Sequence, residues 1–271
     1  MSIREDVVDT QSFNVLQSLV ADYVFNKALS KSELLVDFGH EHGVRGDFEC
    51  LRPRQNLMDV VINLEASKLN YFERQFIGIR SIRCYLPTTF SKTSIVSKYI
   101  SGLDDCENLF IPMHDECPDH WYLCVTNFKN SHIQILDSLR SKNRDKFRLQ
   151  SVKTVVEFCQ TFFKLYDIGK DVFQFSIDWA PSIPTQENGW DCGVHVIRHM
   201  QRFKNGDSMT SSDFCNSVKI RREIACDLVL HEGNREKQTI VAICELVEDL
   251  SQPPQTILDA ESPGVGVQLS D

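Results

Sequence analysis

Several features common in other proteins are missing from this 271-residue chain. No run of eighteen apolar residues occurs, so no membrane-spanning helix is expected. The opening Met1-Ser2-Ile3-Arg4-Glu5-Asp6 is charged and has no apolar core, so no secretion signal is read there. Basic residues are not in excess: the net charge is −9, which argues against a broad surface for nucleic acid or anionic membrane. Ten cysteines are present but no Cys-x-x-Cys, and with no export signal reduced thiols are expected rather than a disulfide framework. Cys106, Cys117 and Cys124 lack finger-like spacing, and His195 and His199 lack the glutamate of a His-Glu-x-x-His site. His40 and His42 read as part of a solvated loop rather than as ligands, so neither metal nor cofactor is expected. There is no internal repeat. These absences leave a soluble, intracellular globular protein, expected in the nucleus or cytoplasm, with no nucleic-acid or membrane partner; a monomer is expected. Its 42% apolar and 25% charged residues suffice for a sizeable core.

What is present centres on Pro184-Thr185-Gln186-Glu187-Asn188-Gly189-Trp190-Asp191-Cys192-Gly193. A cysteine follows a polar turn and precedes the helical pattern Val194, Ile197, Met200 and Phe203. This places Cys192 in the first turn of a helix, where unpaired N–H groups and the positive end of the dipole favour its thiolate, the nucleophilic form. Gly193 reads as a gap left for an approaching carbonyl, and Gln186 as an amide that can turn toward the same point. A nucleophile of this kind needs a base and a group that orients the base. His120 opens the apolar run Tyr122-Leu123-Cys124-Val125, and Asp137 closes the run Ile133-Gln134-Ile135-Leu136. Two adjacent antiparallel strands with a turn at 127–131 put His120 and Asp137 side by side at one sheet edge. His114, before the acidic loop 115–119, is the rival base.

His120-Trp121, Asp137, Gln186 and Cys192-Gly193, in that order and at these spacings, resemble the ubiquitin-like-protein-specific cysteine proteases. That family includes the SUMO proteases and is related to the adenovirus-type endopeptidases. The resemblance covers about residues 50 to 205. It implies an α+β fold of the papain-like superfamily, in the adenovirus-endopeptidase-like variant, with a mixed central sheet flanked by helices. It also implies cleavage after the C-terminal diglycine of SUMO or a related modifier, without a cofactor. In that reading Cys192 is the nucleophile, His120 the base, Asp137 its orienting group and Gln186 an oxyanion donor. Trp121 lines the channel for the glycines, and Asp59 stands at an acidic position that contacts substrate; its alternative is a plain helix-face carboxylate. One departure is visible. Asn56 stands where the family commonly has a second tryptophan that helps clamp the glycine tail. This keeps two alternatives open: a thiol protease for another polypeptide, and a silent module that binds a modifier without cutting it.

In chain order, residues 1–45 read as an N-terminal helical extension or linker, with a helix carrying Phe13, Leu16, Leu19, Val20 and Val24 and a loop over 31–50. Residues 46–250 read as the catalytic domain. Pro53 suggests a helix start, with Leu57, Val60, Val61 and Leu64 on one face. Phe72, Phe76 and Ile77 read as core, and 91–99 resembles the family's short helix. The basic stretch Arg140–Arg148 reads as a solvated loop, 152–166 as a helix burying Cys159, and 173–177 as a strand. His195 and His199 read as flank or polar core, with further helices near 212–231 and 235–250 and Asn234 between them. Residues 251–271, rich in Pro, Gly, Ser and Gln, read as a disordered tail.

Overall fold

The computed structural model describes residues 14–80, 82–90, 102–117, 119–203 and 209–251. The expected helix at 91–99 and the tail beyond residue 251 lie outside the described residues. Helices α1 (Val15–Val24), α2 (Asp59–Arg74), α3 (Asp145–Leu165), α4 (Cys192–Arg202), α5 (Ser217–Val229) and α6 (Lys237–Ser251) surround the sheet. The strands are β1 (Leu34–Asp37), β2 (His42–Val44), β3 (Ile82–Tyr85), β4 (Cys106–Glu116), β5 (Asp119–Asn127), β6 (His132–Leu136) and β7 (Ser176–Trp179).

The main sheet has the order β3-β4-β5-β6-β7, with parallel pairs at both edges and antiparallel pairs in the middle. It is the mixed sheet expected of the fold. Side chains alternate along a strand, and here both faces are covered. On one face Phe110, Trp121, Leu123, Val125 and Leu136 pack with α1, α2, α4 and α5. On the other, Leu109, Ile111, Tyr122, Cys124, Ile133 and Ile135 pack with Val152, Phe162 and Phe163 of α3. That two-sided burial is why the central strands read as continuous apolar runs.

Residues 31–50 are not a loop. β1 and β2 form an antiparallel hairpin, followed by a 3-10 turn at Asp47–Leu51. Leu35, Val36 and Phe48 are fully buried in the same core as α1 and α2. His40 lies 3.2 Å from the Ser67 hydroxyl on α2. Asn234 does more than punctuate the last two helices: its amide donates to the carbonyls of Leu35 and Val229, tying the hairpin to the end of α5.

Three further differences have simple causes. α2 begins at Asp59 rather than near Pro53, because after the 3-10 turn the chain bends and turns at 52–54, with Arg54 at φ 62°, and 55–58 are irregular. Phe72 is exposed because the buried stripe of α2 runs through Val61, Ile62, Leu64 and Ala66, and Ile77 is exposed in the turn that follows the helix. The last strand occupies Ser176–Trp179, three residues later than its alternation suggests, pairing Ile133 with Ile177. Among the described residues no helix is long and apolar enough to cross a membrane.

Candidate active site

The β5–β6 hairpin brings the first two groups together. β5 starts at Asp119 and β6 ends at Leu136, so His120 and Asp137 emerge at the same end of neighbouring antiparallel strands. His120 Nε2 donates to Asp137 Oδ1 at 2.8 Å, and both residues are buried. The same carboxylate oxygen accepts the Leu139 backbone N–H at 3.0 Å. The Cys192 side chain interacts with the same imidazole and helps to raise its pKa.

Cys192 is the first residue of α4, as its pattern indicates. The turn before it is built by side-chain amides. Asn188 Oδ1 accepts the N–H groups of Trp190 and Asp191, and its Nδ2 donates to Asp191 Oδ2 at 2.7 Å. Asp191 is held in turn by Ser217 at 2.6 Å and Arg221 at 2.8 Å. Burial works against the Asp191 charge, but those hydrogen bonds outweigh it and the carboxyl stays below its ordinary range. The helix that carries the cysteine is therefore anchored through its own N-cap residue.

Gln186 is buried beside this turn. Its backbone N–H donates to the Ser138 carbonyl, its Oε1 accepts the Ser138 hydroxyl at 2.7 Å, and its Nε2 donates to the Asn188 carbonyl at 2.6 Å. The residue after Asp137 thus fixes the amide that precedes Cys192. Trp121 is buried, and its indole N–H donates to the Leu57 carbonyl at 2.9 Å. Asp59, two residues beyond that carbonyl, is exposed at the start of α2, where its Oδ1 accepts the Val60 N–H.

Gly193 serves a different purpose from the one its sequence position suggests. A Cβ added there would lie 2.6 Å from Leu57 Cβ. The glycine lets the first turn of α4 press against the segment before α2.

The rival base, His114, is engaged elsewhere. Its Nε2 lies 2.6 Å from Asp119 Oδ1, and its ring stacks on Trp121 at 4.2 Å. The second oxygen of Asp119 accepts from Asn56 at 2.7 Å. Asn56 thus braces a histidine that already covers part of Trp121.

Arg148 is the residue that sequence reasoning missed. It is a buried side chain of α3 rather than part of a solvated loop. Its Nη1 donates to Asp137 Oδ2 in a short contact, and its Nε donates to Asp115 Oδ2 at 3.0 Å. Asp115 pairs with His120 in register across β4 and β5. A signal was available: Arg148 lies four residues before Val152 and eleven before Cys159, on the helix's buried stripe.

Burial alone would drive the His120 imidazole toward the neutral form. The hydrogen bonds and charges of Asp137 and Cys192 overcome it and push the pKa up to about 9. His195 and His199, on the same helix as Cys192, go the other way. Burial pulls them down to about 4 and about 3. All ten cysteines are unpaired, and burial raises the Cys159 thiol to about 12. No group of three metal-ligating side chains occurs among the described residues.

Comparison with known proteins places the chain. Residues 94–232, half of it, match the Ulp1 protease family, C-terminal catalytic domain. The chain belongs to this family. Ubiquitin-like-specific protease 1A of Arabidopsis thaliana is 28% identical over 174 residues, covering 58% of this chain and 33% of the relative. Putative ubiquitin-like-specific protease 1B of the same plant is 28% identical over 209 residues, covering 69% of this chain and 59% of the relative. The chain thus spans from a third to three-fifths of the length of these relatives. Among solved structures, the C-terminal Ulp1 protease domain in complex with Smt3, the yeast ortholog of SUMO, superposes with a TM-score of 0.63. The identity there is 18%, with 82% of this chain and 98% of that one covered. A Ulp1-like SUMO protease catalytic domain from Chaetomium thermophilum gives a TM-score of 0.52 at 20% identity, over 80% and 88%. Both share the α+β fold of this chain.

Proposed function

We propose that this chain is a thiol protease that cleaves after the C-terminal diglycine of a SUMO-type ubiquitin-like modifier, in conjugates or in precursors. The observation that carries the reading is a buried His120 held between Asp137 and Cys192 at the head of α4. With its pKa near 9 the imidazole is protonated at neutral pH, and its positive charge favours a thiolate on Cys192.

The chemistry follows in two halves. The Cys192 sulfur bonds to the carbonyl carbon of the last glycine, and the C–N bond to the leaving amine breaks as His120 gives that amine its proton. Water then attacks the thioester, His120 takes the water's proton, and the modifier leaves with a free carboxylate while the thiolate is restored. Asp137 fixes the tautomer and orientation of the ring throughout. The Cys192 backbone N–H and a Gln186 amide proton serve the developing oxyanion. Trp121 walls the channel that admits only glycines, and Asp59 meets the modifier at the rim. These steps call for no cofactor. The unpaired thiols fit a reducing compartment, the nucleus or cytoplasm, and the chain acts as a monomer on the modifier and its conjugates.

A panel of ubiquitin-like modifiers ending in a vinyl sulfone tests this. A SUMO-type modifier is expected to form an adduct with the wild type and none with Cys192→Ser. No adduct with any modifier, by a folded protein, would overturn the reading. One observation favours a second: Asn56 is tied through Asp119 to His114, whose ring stacks on Trp121. It fits a polypeptide tail other than SUMO's. If Asn56→Trp raises reactivity toward SUMO more than tenfold, the missing clamp limits SUMO use and the second reading gains.

A further inference from the structure

Asp137 is buried, and each of its oxygens has a different employer. Oδ1 takes the proton of His120 Nε2 and the Leu139 N–H. Oδ2 takes an N–H of Arg148. Arg148 is itself pinned: Nε reaches Asp115 at 3.0 Å, and its guanidinium carbon lies 5.4 Å from the centroid of the Tyr122 ring, which stacks 6.5 Å from the His120 ring. Arg144 approaches Asp115 from the half-exposed side at 3.4 Å.

We propose that Arg148 is a positioning residue for the His120–Cys192 pair: it fixes the Asp137 carboxylate and shares its charge, so that the imidazole can release its proton. The inference rests on the reading of Cys192 as a nucleophile. The reason is electrostatic. A buried carboxylate whose only counter-charge is an imidazolium holds that imidazolium's proton hard, because deprotonation leaves an uncompensated buried anion. The reaction needs this proton at the leaving amine. With Arg148 on Oδ2, Asp137 is compensated in both protonation states of His120. The planar guanidinium also bridges Asp115 and Asp137 with two different nitrogens, which an ammonium cannot do in the same geometry. The charged and titratable groups around the ring are Asp115 from β4, Tyr122 from β5, Asp137 after β6, Arg144 and Arg148 at the start of α3, and Cys192 from α4.

The test reads the proton directly. His120 is titrated by NMR of isotope-labelled histidine in the wild type, in Arg148→Lys, and in Arg148→Met combined with Asp115→Asn. The double change removes one buried charge of each sign and so leaves no new bare carboxylate. The wild-type ring is expected to titrate near 9. The double variant is expected to hold its proton to a pH at least one unit higher, with thermal stability near that of the wild type and slower release of an amine leaving group. Arg148→Lys is expected to fall between them. A wild-type value near 9 that is unchanged in both variants would overturn the inference and leave the protease reading standing. A wild-type ring that titrates like a free histidine would overturn the reading of the site, and this inference with it.

Discussion

His120 and His199 are both buried imidazoles in one protein, yet they take opposite protonation states. His120 sits at the sheet edge with a carboxylate 2.8 Å away, and its pKa is pushed up to about 9. His199 lies two turns into α4 with its Nδ1 against the Met209 sulfur at 3.4 Å, and its pKa falls to about 3. His195 is a closer comparison, because Asp191 does act to raise its pKa. But Asp191 is committed to Arg221 and Ser217, so the remaining pull cannot match the cost of burial. Desolvation is a shared background. The partners that hydrogen-bond the ring, Asp137 first and Cys192 with it, decide the protonation state.

The largest effect should come from breaking the carboxylate side of the comparison. Asp137→Asn keeps the shape but offers the ring an amide in place of a charge, and turnover of a reactive modifier substrate is expected to fall by about 10³–10⁴-fold. A loss under tenfold would show that orientation by Asp137 is dispensable.

Next is the pH dependence. A folded pKa above the free value means that the imidazolium persists through neutral pH and is lost as pH rises through about 9. Amide-bond cleavage should therefore fade above pH 9, and in Asp137→Asn the fading should begin at lower pH. An alkaline limb near 6.5 in the wild type would contradict the assignment.

A smaller effect is expected at Gly193→Ala. Alanine ordinarily favours a helix over glycine by about 1 kcal/mol, but here the added methyl meets Leu57 at 2.6 Å. Net destabilisation of about 1–3 kcal/mol should appear in denaturant unfolding; a stabilised variant would show that the segment before α2 yields freely.

The smallest sharpens the neutral side. Because His199 stays neutral when folded, the unfolded chain binds the extra proton below its free pKa of about 6.5, and stability drops as pH falls from there. His199→Leu should lose less melting temperature between pH 7.5 and pH 5 than the wild type does. An identical drop would mean that other groups carry the acid sensitivity.

Much of the site was legible because its residues sit at the ends of regular patterns. His120 opens an apolar strand, Asp137 closes the next, and Cys192 begins an amphipathic helix; each placement held. Arg148 was misread because a basic stretch looks solvated, while burial of an arginine depends on carboxylates 11 and 33 residues away that no local pattern reveals. The β1–β2 hairpin was missed for another reason: its strands are four and three residues long with an irregular register, too short for alternation to show. Gly193 was assigned to substrate approach because its close neighbour, Leu57, is remote in sequence.

The most direct test uses the ten unpaired cysteines against one another. Cys117 and Cys215 are exposed, while Cys192 is 1% exposed. At pH 6 an unassisted thiol is under about 1% thiolate, so access alone would label the exposed pair first. Timed iodoacetamide labelling read by mass spectrometry should instead find Cys192 modified on the order of 100-fold faster than either, and no faster than they are in Asp137→Asn. Cys117 and Cys215 reacting first in the wild type, with Cys192 among the last, would contradict an activated nucleophile at the head of α4.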